Sequence, residues 1–196
     1  MTVINGDLKL VLPIRVDEKG DAALYAYHTP ISREVYDSNF RLLGETKTAI
    51  MGDSARHAFM AKADAVLYLR DAGTALALAR GVDGDGGATA LLADLRRLTM
   101  ILAPGAQGWD MLPVDMAIQR GVIDADDWAD AEAEVVFFTA WAAGNGRKDR
   151  PAQMVFAAQL IGGQTTSLPP MEWAASLQTS TPAAPMGQKV ASSVPS

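Results

Sequence analysis

Trp109 to Ala143, WDMLPVDMAIQRGVIDADDWADAEAEVVFFTAWAA, is the stretch whose reading decides the fold. It holds three of the four tryptophans and the Phe137–Phe138 pair. Pro113 opens a short helix, because its fixed φ and missing N–H suit a first turn. Gly121 closes that helix in the left-handed position that follows a C-terminus. Asp124 is an N-cap for the next helix, and Asp127 at the third helical position completes a box-like arrangement. Asp126 and Asp130 lie in the same first turns, where the helix dipole favours negative charge. Trp128, Ala131, Val135, Phe138 and Ala142 then recur at three- and four-residue steps on one face. Val136, Phe137, Ala140 and Trp141 make the second half apolar nearly all round, which places it at the centre of the core. Gly144-Asn145-Gly146 ends it. A packed helical hairpin is predicted for the stretch.

Working outward, Leu8, Leu10, Leu12 and Ile14 alternate with Lys9, Val11 and Arg15, the period of a half-buried strand. Ala23, Tyr25 and Tyr27 alternate again after the turn-type cluster Asp17-Glu18-Lys19-Gly20-Asp21. Residues 7–15 and 22–28 are therefore predicted as a β-hairpin. A lone hairpin is marginal in water, so it must pack on helices or pair with a second copy, and its exposed edge is a candidate self-association surface. Thr29-Pro30 is expected to start a helix running to about Ile50, with Ile31, Val35, Ser38 and Leu42 on one face. Gly52-Asp53-Ser54 then breaks the chain. An alanine-rich helix follows from Ala55 to about Arg80, with Phe59, Ala63, Val66, Leu67 and Leu69 as buried positions and Gly73 as the point where it kinks or splits. Residues 81–87, GVDGDGG, form a loop. Leu91, Leu95, Leu98 and Leu102 make a leucine stripe on one helix, ended by Pro104-Gly105, and read as core at this length rather than as a coiled-coil seam.

Beyond the central stretch, a helix is expected from about Lys148 to Ile161, with Met154, Val155, Ala158 and Ile161 inside, stopped by Gly162-Gly163. Ser167 caps a last short helix starting near Pro169-Pro170. From Gln178 onward Ser, Thr, Pro and Ala dominate, with Lys189 the single charge, a composition that buries too little surface to fold. The expected class is mainly α within α+β. An N-terminal β-hairpin is followed by a compact multi-helix bundle in one globular domain over residues 1–177, and then by a disordered tail over 178–196.

The chain has 196 residues, 49% hydrophobic and 20% charged, an ordinary globular composition long enough for a sizeable core. A net charge of −6 and a pI near 4.8 argue against non-specific binding to nucleic acid or anionic membranes. The acids are scattered along helices instead of forming a DNA-like run. Having no cysteine excludes disulfides, thiolate metal sites and cysteine nucleophiles. No run approaches the roughly 20 apolar residues of a membrane span, and the N-terminus lacks signal-peptide features, so a cytosolic location is expected.

His28 and His57 have no second histidine at metal-ligand spacing and read as structural or surface groups. Asp83 and Asp85 alternate as at the start of a calcium loop, but Gly87, Ala88 and Asp94 depart from the later positions of that motif. Asp110, Asp115 and the acids at 124–130 could pair for acid–base work, yet helix capping accounts for them. Gly-x-Ser-x-Gly, Walker and His-Glu-x-x-His patterns do not occur. Neither an enzyme, a metal nor a cofactor is expected. Met171, Trp173 and Leu177 stand on the short helix beside the tail. Core packing is their first reading, and an anchor docking in a partner's groove is the second.

Three segments resemble tail assembly chaperones of long-tailed bacteriophages, in particular those of transposable, Mu-like phages with non-contractile tails. They are LKLVLPIRVDEKGDAALYAYHTPISREVYDSNFRLL, RLTMILAPGAQGWDMLPVDMAIQRGVIDADDWADAEAEVVFF and TSLPPMEWAASLQTST, joined by the ending SSVPS. Tyr27–Glu34 and Trp109–Trp128 carry most of the likeness, and residues 53–90 the least. The resemblance implies a non-catalytic protein of the host cytoplasm, left out of the mature virion. It implies two partners, the long, aggregation-prone tape measure protein and the tail tube protein. An alternative is a minor virion structural protein, such as a tail-completion or head–tail component.

Overall fold

The computed structural model describes residues 8–16, 22–57, 62–106, 108–142, 144–146 and 148–178. Among them, five strands form one antiparallel sheet: β1 (Lys9–Val16), β2 (Ala22–His28), β3 (Thr99–Gly105), β4 (Gly108–Pro113) and β5 (Gln164–Thr166), in the order β4-β3-β2-β1-β5. Seven helices accompany it: α1 (Arg33–His57), α2 (Ala65–Ala79), α3 (Ala88–Arg97), α4 (Val114–Gln119), α5 (Ala125–Ala142), α6 (Arg150–Leu160) and α7 (Pro170–Gln178). The class is α+β. The hairpin turn, Phe59 and the tail beyond Gln178 lie outside the described residues.

Register sorts the side chains onto two faces. Leu10, Leu12, Leu24, Ala26, His28, Thr99, Ile101 and Leu112 share one, while Val11, Pro13, Tyr25, Tyr27, Met100, Leu102, Trp109 and Met111 share the other. The first face belongs to a large core built with the helices α1 to α6. The second carries a small cluster in which Val11, Tyr27 and Leu102 meet Trp173 and Ala174 of α7.

On the inner face α5 is central. Every residue from Val135 to Ala140 is buried, and the helix packs against α1, α2, α3, α6 and β1. Its start is locked as its sequence indicates. Asp124 Oδ1 accepts the N–H groups of Asp126 and Asp127 at 3.0 and 2.8 Å, and Asp127 Oδ2 accepts that of Asp124 at 2.9 Å. Gly121, with φ +67°, closes α4. A register shift between Pro13 and Arg15 pairs Arg15 with the inward-facing Leu24, so its guanidinium reaches Asp124 at 3.1 Å and also Asp127. Burial alone would raise the Asp127 carboxyl, but the hydrogen bonds from Arg15 and from the Asp124 N–H hold it below the usual range.

Several expectations give way. Trp109–Pro113 is strand β4, so the central stretch is a strand and two helices rather than a helical hairpin. The leucine-stripe helix ends at Arg97, and the chain turns into β3 and β4, a second hairpin. Met100–Ala103 is an apolar run lying between two covered faces, so it shows no strand alternation. Gln164–Thr166, between the Gly162-Gly163 stop and the last helix, adds β5 to β1. The edge of the N-terminal hairpin is therefore not the open surface expected for self-association: β3 pairs along β2, and β5 pairs along Lys9–Val11. Helix α1 starts later than Thr29, because the Thr29 N–H bonds Leu98 O at 2.9 Å and Ser32 Oγ takes the capping role to the Val35 N–H at 3.3 Å. It also continues through Gly52 to His57. Ala63 is exposed, and Leu67 is 58% exposed.

Gly73 does not split α2. Instead it admits the glycine loop: a Cβ there would lie 2.0 Å from Asp85 O, and one on Gly86 would lie 2.2 Å from Gly73 O. Gly44, in α1, has nothing within 4 Å of its would-be Cβ. Two helix-interior Gly→Ala changes should therefore have opposite signs in urea unfolding. Gly44→Ala is expected to stabilise by about 1 kcal/mol through helix propensity. Gly73→Ala is expected to destabilise by about 1–3 kcal/mol through overpacking against backbone that cannot step aside.

Candidate functional site

The outer sheet face brings together the residues singled out near the tail. Trp173 is 5% exposed and fixed by aromatic contact, its ring centroid 4.8 Å from that of Tyr25 in an edge-on arrangement. It is part of this chain's own core and is not free to anchor in a partner's groove while α7 is in place. Leu177 is half-buried beside it, and Met171 on the same helix is 45% exposed. The connection into α7 is held by Tyr27, whose hydroxyl donates to Leu168 O at 2.6 Å. Helix α7 is short and lies against β4. It leaves part of the face uncovered: Tyr25, Met100 and Trp109 are half-buried, and Met111 is 41% exposed. Trp109 extends the aromatic row, 5.7 Å from Tyr25. The tail-side residues thus join β2, β3 and β4 in one apolar surface with flexible methionines at its margin.

Ionisable groups are dispersed by contrast. Glu132 and Glu134, on α5, are both pushed up by partial burial. Glu132 accepts from Trp128 Nε1 at 3.2 Å, and Glu134 pairs with Lys62 at 3.0 Å. Asp85 accepts the N–H groups of Gly87 and Thr89 at 3.0 and 2.8 Å, and the Thr89 side chain together with these bonds holds its carboxyl below the usual range. Both of its oxygens are thus engaged in starting α3, which is the plain-turn reading of the glycine loop. Among the described residues no group of three or more His, Asp or Glu is placed to hold a metal ion. Among them, too, no helix is long and apolar enough to cross a membrane.

His28 is fully buried, and its partners fix the tautomer. The Thr99 hydroxyl donates to Leu95 O at 2.8 Å, so it accepts from His28 Nδ1–H at 2.9 Å. Nε2 is left as a buried acceptor without a partner among the described residues. Burial pushes the imidazole down to about 3.

Compared with protein-family models, curated proteins and solved structures, the chain finds no match.

His28 makes the fold acid-sensitive. Its folded pKa of about 3 lies below the ordinary histidine value of 6.5, so the unfolded chain binds the proton more readily. The stabilisation is complete above pH 6.5 and is lost progressively as pH falls toward 3, by up to about 5 kcal/mol. Urea unfolding between pH 7 and about pH 4 should show a loss in the wild type that His28→Leu lacks. Equal pH slopes in the two proteins would contradict the assignment.

Proposed function

We propose that this chain is a tail assembly chaperone of a long-tailed bacteriophage, a non-catalytic holder of the tape measure protein that assists tail tube polymerisation in the host cytoplasm. The reading rests on the three resembling segments and on one structural observation: the apolar outer sheet face that α7 covers only in part. Methionine is unbranched and polarisable, so Met100, Met111 and Met171 can adapt to the varied apolar faces of a long helical client. An apolar surface rimmed by polar residues is what such a holder needs, and the negative net charge keeps the loaded complex soluble. Met171 stays in the proposed contact surface, Leu177 supports it, and Trp173 holds α7 in place beneath it.

Coexpression with the tape measure protein is the test. The wild type should co-purify with it. Met111→Lys combined with Met171→Lys should abolish capture, while unfolding stability changes by no more than about 0.5 kcal/mol, as for exposed positions. Capture undiminished in the double variant would move the contact elsewhere. Recovery of the chain at fixed stoichiometry from washed particles would replace the chaperone reading with that of a minor virion structural protein.

A further inference from the structure

A cavity of about 50 Å³ lies on the helical side of the molecule, between the approach to α1, the C-terminal half of α5 and the start of α6. Ile31, Tyr36, Phe138 and Met154 contribute apolar wall, and Thr139 and Arg150 contribute polar groups. Arg33 also borders it, but its guanidinium is bonded to Asp37 at 2.9 Å and lies over the Tyr36 ring. Among the described residues, no acidic side chain lines the cavity.

Among the described residues, two buried polar atoms at this place have no partner, Thr139 Oγ1 and Arg150 Nε. The first departs from a habit of this chain. The hydroxyls of Ser38, Thr46, Thr48, Thr74 and Thr99 each donate to the carbonyl four residues back. Thr139, only 5% exposed, makes no such bond. Arg150 forms no salt bridge among the described residues, although a guanidinium is a planar fork suited to a carboxylate. Leaving such groups buried and unpaired is costly unless something completes them.

We propose that this cavity is a binding site for a carboxylate on a short apolar stem. Arg150 holds the carboxylate, the Thr139 hydroxyl donates a further bond, and the stem packs among Ile31, Tyr36, Phe138 and Met154. The size fits, since about 10–15 Å³ of such space holds one water and the cavity therefore takes three to five heavy atoms, the carboxylate and the first carbons of its stem. A doubly charged phosphate is a poorer match, because the apolar walls leave its remaining oxygens without donors. The carboxylate can be free or borne by an acidic side chain of a peptide. The site lies on the opposite side of the sheet from the proposed client surface, so the two readings fail separately.

The test follows amide chemical shifts and melting temperature of the full chain during titration with butyrate, butyramide and a blocked peptide containing one glutamate. Butyrate or the peptide should give a saturable response, and butyramide should give none; the tighter of the two carboxylates identifies the source. Arg150→Gln should weaken binding about tenfold or more, as for loss of a charge-assisted bond, and Arg150→Lys should restore part of it. Thr139→Val should weaken binding several-fold while raising the melting temperature of the ligand-free protein, because a methyl replaces an unpaired buried hydroxyl. Thr139→Ser should keep the affinity. This opposition between stability and affinity keeps the test decisive should Arg150→Gln fold poorly. Equal responses to butyramide and butyrate, unchanged binding by Arg150→Gln or Thr139→Val, or no saturable response to either carboxylate would overturn the proposal, the last meaning that the cavity holds water only.

Discussion

The structure depends on the burial of one helix that is apolar on nearly every side. Over Val135–Ala140 the helix α5 offers no polar stripe to solvent, so neighbours must enclose it. The sheet does this from one side, and α1, α2, α3 and α6 do it from the others. Polar features collect at its ends. Asp124 and Asp127 cap the N-terminus and receive Arg15 from β1, while Lys47 donates to Trp141 O at 3.0 Å near the C-terminus. Exposed ion pairs of this sort contribute little energy each. Their effect is orientation: Arg15 ties the strand layer to the start of the helix around which the bundle closes.

The same stretch shows how far the sequence can be read. The cap at Asp124, the left-handed glycine at 121 and the buried second half of α5 were legible, because each rests on short-range chemistry that tertiary context leaves intact. The second hairpin was not. Leu91, Leu95, Leu98 and Leu102 keep helical spacing across the point where the backbone leaves the helix, and Leu102 is buried for a different reason, in the sheet's outer cluster. A strand covered on both faces loses the two-residue period, which leaves length and flanking residues as the only cues. Strand β5, three residues long, has too little sequence to carry a period at all.

The candidate surface was legible only through one of its parts. Met171, Trp173 and Leu177 stood out as large apolar residues beside a stretch rich in Ser, Thr, Pro and Ala, but no sequence rule connects them to Tyr25, Met100 and Met111. That connection needs the register, which places residues from β2, β3 and β4 on the face where α7 lands. It also reassigns Trp173. A tryptophan with Tyr25 at its edge and Val11, Tyr27 and Leu102 in the same cluster stabilises the short helix that presents Met171. The buried hydroxyl of Thr139 gave no sequence signal either, since what distinguishes it is a bond that its equivalents make and it does not.

The sheet's edges explain why the proposed recognition falls to a face. Unpaired strand edges invite backbone pairing with other chains, and proteins blunt them with short strands, proline and charge. Here β5 is three residues long, and the β4 edge carries Asp110 and ends in Pro113, with Pro104 opposite Trp109 on its neighbour. Proline supplies no N–H to a ladder, so these positions weaken any continuous pairing along that side. An edge guarded in this way disfavours indiscriminate addition of strands, including those of a second copy. The outer face has no such guard. Its half-buried aromatics and exposed methionines offer non-directional contact, which suits a client presenting apolar helix faces better than one presenting a strand.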